Sequence, residues 1–269
     1  MIKLGIRAHD IGRFQAKELA DKIRAYGFEG AQLVFKKALT SFDIDEVNMA
    51  FNPPKIMMLG AYFNPVHPNR SIVDEGIINF RKHLLYANML QADYVGSETG
   101  SLMGNPWGYV PKNHTDEPLA EVITIFKALC DEAEVLHVNI AIEGAYAHVV
   151  YSPNRLRQVL DEIASPNLKV TIDLYNFLSI ENYQDRMKIF QECLELFPSD
   201  IAIFHLKDFI VAEDQLVQVG LGQGLMDYET IISLIKKEQP NAYLIFESIV
   251  GEDIQSSYQF ISSLLAKKE

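Results

Sequence analysis

Short runs of apolar and β-branched residues recur along the chain, separated by longer stretches with helical spacing. The runs fall at about 2–7 (IKLGIR), 30–35 (GAQLVF), 55–61 (KIMMLGA), 92–97 (ADYVGS), 136–143 (LHVNIAIE), 168–173 (LKVTID), 201–206 (IAIFHL) and 242–247 (AYLIFE). Their nearly continuous apolar character predicts strands covered on both faces, as in a parallel sheet. Between them, 13–27 places Phe14, Leu19, Ile23 and Tyr26 on one stripe and stops at Gly27. The stretch 152–164 opens with Ser152 as cap and Pro153 at the first helical position, 227–238 opens with Asp227 as cap, and 252–268 is the last helix pattern. Further helices are expected at 72–90, 117–134 and 181–196, with a short one at 43–50. Eight strands alternating with helices over roughly 250 residues is the arithmetic of a (β/α)8 TIM barrel, an α/β fold. A single barrel domain over 1–269 is therefore expected. A doubly wound open sheet competes, but no GxGxxG turn follows the first strand.

One long loop, SLMGNPWGYVPKNHTDEP at 101–118, follows the fourth strand. It holds the only tryptophan, Trp107, in a Gly/Pro frame, which suits a lid over a site.

Composition narrows the function classes. With 48% hydrophobic and 22% charged residues the chain is an ordinary globular one. Its net charge of −12 repels duplex nucleic acid and anionic membrane, and no run of Lys and Arg makes a local basic patch. The start, MIKLGIRAHDIG, has too short an apolar run for a signal peptide, and no segment reaches about 18 uninterrupted apolar residues. A cytoplasmic protein is the expectation, with no nucleic-acid or membrane partner. Cys130 and Cys193 lack CxxC spacing and read as buried core residues of a reducing compartment.

In a barrel of this kind the chemistry sits at the C-terminal ends of the strands. Those ends carry Arg7 and His9, Asn64 and His67, Glu98, Glu143, Asp173 with Asn176, His205 with Lys207, and Glu247. Strands five to eight thus end in Glu143, Asp173, His205 and Glu247 in succession. Adjacent strand ends lie about 4.8 Å apart, so the four groups converge on one small space. Three carboxylates there would repel and raise one another's pKa, a conflict that a divalent cation removes. Three carboxylates and one imidazole suit Mn²⁺ first, with Mg²⁺, Co²⁺ or Zn²⁺ as alternatives.

The segments AIEGAYAHVVYSP, VTIDLYN, FHLKD, GLGQGLMDYETII and LIFES resemble the signature segments of the xylose isomerase-like TIM barrels, in order over essentially the whole chain. AYFNPVHP and VGSETGS resemble the sugar phosphate isomerase/epimerase branch, in particular the ketose 3-epimerases. The resemblance implies Glu143, Asp173, His205 and Glu247 as ligands of one divalent metal ion, with Glu143 and Glu247 doubling as the acid/base pair. It implies a small carbohydrate substrate, activated by chelation through its carbonyl and a neighbouring hydroxyl. One Glu removes the proton beside the carbonyl to give a metal-held cis-enediolate, and the other returns a proton. Association into a homo-oligomer is left open.

The chain departs from the pattern at two places. Asn176 stands where epimerase-type relatives commonly place a His, and an amide cannot shuttle a proton near neutral pH. Gly144 stands where Pro often follows the fifth-strand Glu. The endonuclease branch needs further His and Asp ligands after strand seven, and DFIVAEDQLVQVGLGQG contains no His. Among the remaining polar residues, His148 is either a pocket residue or a surface-loop His, and His67 and Glu98 are candidates to line the pocket. Lys207 either contacts a sugar hydroxyl or phosphate, or pairs with Asp208. His83, His114 and His137 read as structural or exposed, and Gly222 and Gly224 as shaping a loop. The expected activity is a metal-dependent sugar or sugar-phosphate isomerase/epimerase. An inosose-type dehydratase is the alternative, ahead of an endonuclease-like hydrolase or a catalytically silent carbohydrate-binding barrel.

Overall fold

The computed structural model describes residues 2–267. Eight parallel strands close on themselves: β1 (Lys3–Arg7), β2 (Gly30–Leu33), β3 (Lys55–Gly60), β4 (Tyr94–Glu98), β5 (Asn139–Glu143), β6 (Leu168–Asp173), β7 (Ile201–Leu206) and, after a hairpin of β8 (Asp208–Ala212) and β9 (Gln215–Val219), β10 (Tyr243–Phe246). The order around the barrel is β1-β10-β7-β6-β5-β4-β3-β2, with β1 paired to both β10 and β2. Every strand expected from the apolar runs is present. The continuous burial of β2, β5 and β7 follows from their position between a packed interior and an outer ring of helices.

The helices are amphipathic, as their spacing requires. Pro153–Ile163 buries Leu156, Val159, Leu160 and Ile163 on one face, and Ser152 accepts a bond from the Arg155 N–H at its start. Asp227 caps Tyr228–Glu238 in the same way through the Thr230 N–H. The barrel interior is filled by Met57, Met58, Ala141, Ala202, Ile203 and Ile245. The methionines reach in because strand glycines leave room: a Cβ on Gly5 would stand 2.6 Å from Met57 Sδ. This filled floor leaves the C-terminal mouth as the place where polar side chains converge. Cys130 and Cys193 are free and buried.

The hairpin is the pair of strands the sequence pattern did not predict, alongside short helical turns such as Ala8–Ile11 and Phe35–Ala38. DFIVAEDQLVQV pairs antiparallel from Asp208↔Val219 to Ala212↔Gln215, turning through Glu213 and Asp214 in left-handed backbone. It stands outside the barrel sheet, so both its faces are partly exposed and its hydrophobic signal is weak.

Candidate metal centre

Glu143 and Asp173 are the last residues of β5 and β6, His205 is the penultimate residue of β7, and Glu247 directly follows β10. Parallel register sets Asp173 beside His205, and the turn of the barrel brings the ends onto one axis. Glu143, Asp173 and His205 each offer a ligand atom, all within 4.8 Å of one another and all buried. His205 Nδ1 lies 2.8 Å from Glu247 Oε2, 3.3 Å from Glu143 Oε2 and 3.8 Å from Asp173 Oδ2. None of His205 Nδ1, Asp173 Oδ2 and Glu247 Oε2 has an aligned hydrogen-bond partner, although all are buried. Buried ligand atoms that converge in this way, close to charged partners but without aligned hydrogen bonds, are what a cation site presents.

The orientation of His205 is set from across the barrel. Its Nε2 is 2.7 Å from Gln32 Oε1, and Gln32 Nε2 donates to the Tyr62 hydroxyl. Because Gln32 turns its carbonyl toward the ring, Nε2 donates to it and Nδ1 is the nitrogen that faces the carboxylates, protonated while they hold it and free to ligate once that proton leaves. Gln32 is fully buried on β2. No charged or titratable group signals it in the sequence; a buried amide in a continuous apolar strand is the signal that was available.

Three cations balance the acids. Lys207 Nζ lies 2.8 Å from Asp173 Oδ2, 3.0 Å from Glu247 Oε1 and 3.1 Å from Asn176 Oδ1. Arg7 donates to Glu247 Oε1 at 2.6 Å and is itself held by Asp10 and Ser248. Burial pushes the Glu247 carboxyl up, but Lys207, His205 and Arg7 outweigh it and hold the acid well below the usual range. Burial likewise pulls the His205 imidazolium down, and Glu247 and Glu143 overcome this to carry it to about 10. Asp173 is raised to about 6, by burial first, with Lys207 opposing.

Asn176 donates to Glu143 Oε1, so it orients an acid where a His would also have titrated. Lys207 pairs with Asp173 and Glu247 and not with Asp208. The Asp208 carboxylate instead accepts from the backbone N–H groups of Phe209, Gly222, Gly224 and Met226, tying the GLGQG loop to the end of β7. Gly222 has φ +85° there, which accounts for its glycine.

Glu98 pairs in register with Glu143 at the ends of β4 and β5, and burial with the nearby Glu143 and Glu247 charges raises its carboxyl to about 8. His148 is buried, not at the surface; neither ring nitrogen has a hydrogen-bond partner, and burial lowers it to about 4. Trp107 covers it, ring centroids 4.5 Å apart, while remaining 45% exposed. The long loop is anchored by Asn113, which donates to Ser101 Oγ and the Ala147 carbonyl, and by Asn64, which donates to the Ser101 carbonyl. His67 is half-buried; its Nδ1 accepts from the Asn69 N–H, and it makes no hydrogen bond or ion pair with the acid cluster. His83 Nδ1 donates to the Asn79 carbonyl and His114 Nε2 to the Tyr146 carbonyl, both structural, and His137 is an exposed left-handed helix stop.

The family model described as xylose isomerase-like TIM barrel matches residues 20–264. The chain belongs to that family. Among solved structures, this barrel is similar to the IolI protein with a bound zinc atom (15% identity, TM-score 0.76, covering 98% of this chain and 96% of the other). It is similar to a D-tagatose 3-epimerase-like protein (16%, 0.77, 98% and 97%). It is also similar to the probable 3-DHS dehydratase AsbF of Bacillus anthracis (15%, 0.75, 100% of both). At these identities the likeness is one of fold. No curated protein matches the chain. No helix among the described residues is long and apolar enough to cross a membrane.

Proposed function

We propose that this xylose isomerase-like barrel is a divalent-metal-dependent isomerase or epimerase acting on a sugar or sugar phosphate in the cytoplasm. The observation that carries this is the convergence of Glu143, Asp173 and His205 within 4.8 Å, with Glu247 2.8 Å from the same His205 nitrogen. The donor set fits the ion: buried oxygens and one imidazole nitrogen, with Gln32 holding Nε2 so that Nδ1 faces the acids and would give up its proton to a cation. Glu143, Asp173, His205 and Glu247 would hold it, with Mn²⁺ as first choice and Mg²⁺, Co²⁺ and Zn²⁺ as alternatives. A bound ion polarises a substrate carbonyl and acidifies the C–H beside it.

The chain's own carboxylates do the proton transfer. Glu143 and Glu247 rise from strands separated by β6 and β7, and so approach a reacting carbon from different sides. Glu247, held anionic by Arg7 and Lys207, starts as a base. Asn176 fixes Glu143 through its amide. One carboxylate takes the proton and the other returns one. Return to the opposite face of the same carbon inverts it, and return to the neighbouring carbon interconverts aldose and ketose. Positioned acid–base catalysis of this kind contributes about 10²–10⁴-fold. Lys207 and Asn176 would bond substrate oxygens, with Trp107, His148 and Glu98 lining the pocket; only an extended substrate would reach His67.

A second reading is dehydration. The buried Lys207 ammonium, 3.0 Å from Glu247, would hydrogen-bond a departing β-hydroxyl, with the carboxyl that took the first proton returning it to the leaving oxygen as water. Incubating the Mn²⁺-loaded protein with ketoses and inososes in D₂O separates the two. Deuterium incorporation with inversion supports the epimerase, loss of water supports the lyase, and no exchange on any compound sinks both. Glu247→Gln is expected to abolish exchange, and normal turnover by that variant rules out its assigned role.

A further inference from the structure

A concentration of positive charge outside the acid cluster lies in a cleft of about 520 Å³ beside the barrel mouth, bounded by the ends of β2 and β3. Arg13, Lys36, Lys37 and Lys82 line it, and no Asp or Glu does. Elsewhere on this acidic chain many surface cations are matched, such as Arg70 with Asp74 and Glu121, Arg81 with Glu132, and Arg157 with Asp161 and Asp200, while others such as Lys127 and Lys188 stand unpaired among the described residues. Among the described residues the four cleft cations have no carboxylate within ion-pair distance. Arg13 Nε donates to the Leu39 carbonyl at 2.9 Å, which holds its guanidinium at the rim. Like charges gathered without a counter-ion repel one another, and an anion in the cleft relieves that repulsion.

The cleft adjoins the metal centre through one side chain. Tyr62 lines it, and the Tyr62 hydroxyl accepts from Gln32, the residue that fixes His205. Lys37 lies near that mouth, its charge lowering the pKa of both His9 and Glu98. The opposite wall is a ring cluster: Phe35 stacks on His83 with centroids 5.4 Å apart and on Phe42 at 4.3 Å. Apolar walls lower the local dielectric and strengthen whatever the cations hold.

We propose that this cleft is a subsite for a phosphate group on the substrate of the barrel centre, so that the substrate is a phosphorylated sugar and not a free one. Three ammonium groups and a guanidinium suit a dianion with three oxygens better than a single carboxylate. The sugar part of this statement rests on the isomerase/epimerase reading; the phosphate part rests on the cleft alone.

The test begins with the metal-free protein, where turnover plays no part. Inorganic phosphate is titrated calorimetrically at low ionic strength. Saturable one-to-one binding is expected, weakened about tenfold or more by Lys37→Ala combined with Lys82→Ala. Lys127→Ala combined with Lys188→Ala removes the same charge from exposed lysines elsewhere and is expected to change affinity by less than about twofold. Failure to saturate, or equal weakening by both pairs, overturns the cleft. With Mn²⁺ present, fructose 6-phosphate is then expected to bind at least about tenfold more tightly than fructose, and the gap should close in the Lys37/Lys82 variant. A gap that is absent, or that survives the double substitution, overturns the link to the substrate. If phosphate binds as stated but no sugar exchanges hydrogen, the reaction assigned to the barrel fails while the anion site stands.

Discussion

The two halves of the barrel mouth are built from opposite materials. From β5 round to β10 the strand ends supply Glu143, Asp173, His205 and Glu247, and from β1 to β3 they supply Arg7, Gln32 and Tyr62. The first half holds the donor atoms and the second holds those donors in place. Arg7 reaches Glu247 across 240 positions of sequence, and Gln32 reaches His205 across 173. A closed barrel makes such links short in space, because β1 pairs with both β2 and β10. Chemistry and orientation are thus divided between the two ends of the chain, and each half can be broken separately.

The largest effect is expected on the acid side. Glu143→Gln keeps the shape and the partner Asn176 but removes a proton acceptor. Hydrogen exchange into a turned-over sugar should fall by about 10²–10⁴-fold. Asp173→Asn should instead abolish retention of Mn²⁺ through gel filtration, since in the proposed function that acid would hold the ion without taking the proton. If Glu143→Gln exchanges at the normal rate, the division of labour among the acids is wrong.

Asp208 is the acid that lies next to the centre without belonging to it. Its carboxylate is buried on four backbone N–H groups, so Asp208→Ala strands all four. A loss of about 3 kcal/mol or more is expected in urea unfolding, with Mn²⁺ affinity of the folded fraction nearly intact. Loss of metal affinity without loss of stability would move Asp208 into the site.

On the supporting side, Gln32→Leu should weaken Mn²⁺ binding about 10–100-fold by releasing the His205 tautomer, as measured by competition with a chelator. Gln32→Glu restores the acceptor toward Nε2 and should recover part of that loss. A merely structural Gln32 would instead show a drop in stability with metal affinity unchanged.

These two halves were not equally legible in the sequence. The eight strands were, because strands covered on both faces read as continuous apolar runs, and their acidic ends stood out as residues that a core does not accept. The supporting half was hidden apart from Arg7, which stood at the end of the first strand without its partner Glu247 being evident. Gln32 lies inside an apolar run and carries no charge, and nothing local links it to His205. The partners of Lys207 were hidden in the same way: Asp208 is its neighbour in sequence, but strand alternation turns adjacent side chains apart, so Lys207 meets Asp173 and Glu247 instead. The hairpin was missed because its strands, paired only with each other and half exposed, lack the apolar continuity of the barrel strands. His148 was ambiguous because its neighbours, among them the Trp107 ring, come from a different loop.

That last contact yields the smallest of the expected effects. Trp107 is 45% exposed and packs on His148, whose ring is buried without a hydrogen bond. Burial, the cause of the depressed pKa of about 4, should be relieved in Trp107→Ala, and the His148 pKa measured by NMR should rise toward 6.5. The sign of the linked stability follows. A histidine with a depressed folded pKa favours the unfolded chain as pH falls, because the unfolded state binds the proton first. The wild-type protein should therefore lose stability between about pH 6.5 and pH 4 through His148, and the variant should show a shallower slope over that window. An aromatic contact contributes about 0.5–1.5 kcal/mol, so substrate KM should rise only about two- to tenfold in Trp107→Ala. An unchanged His148 pKa would mean that the barrel wall, and not the loop, excludes water from this ring, and Trp107 would then cease to be a cover for the site.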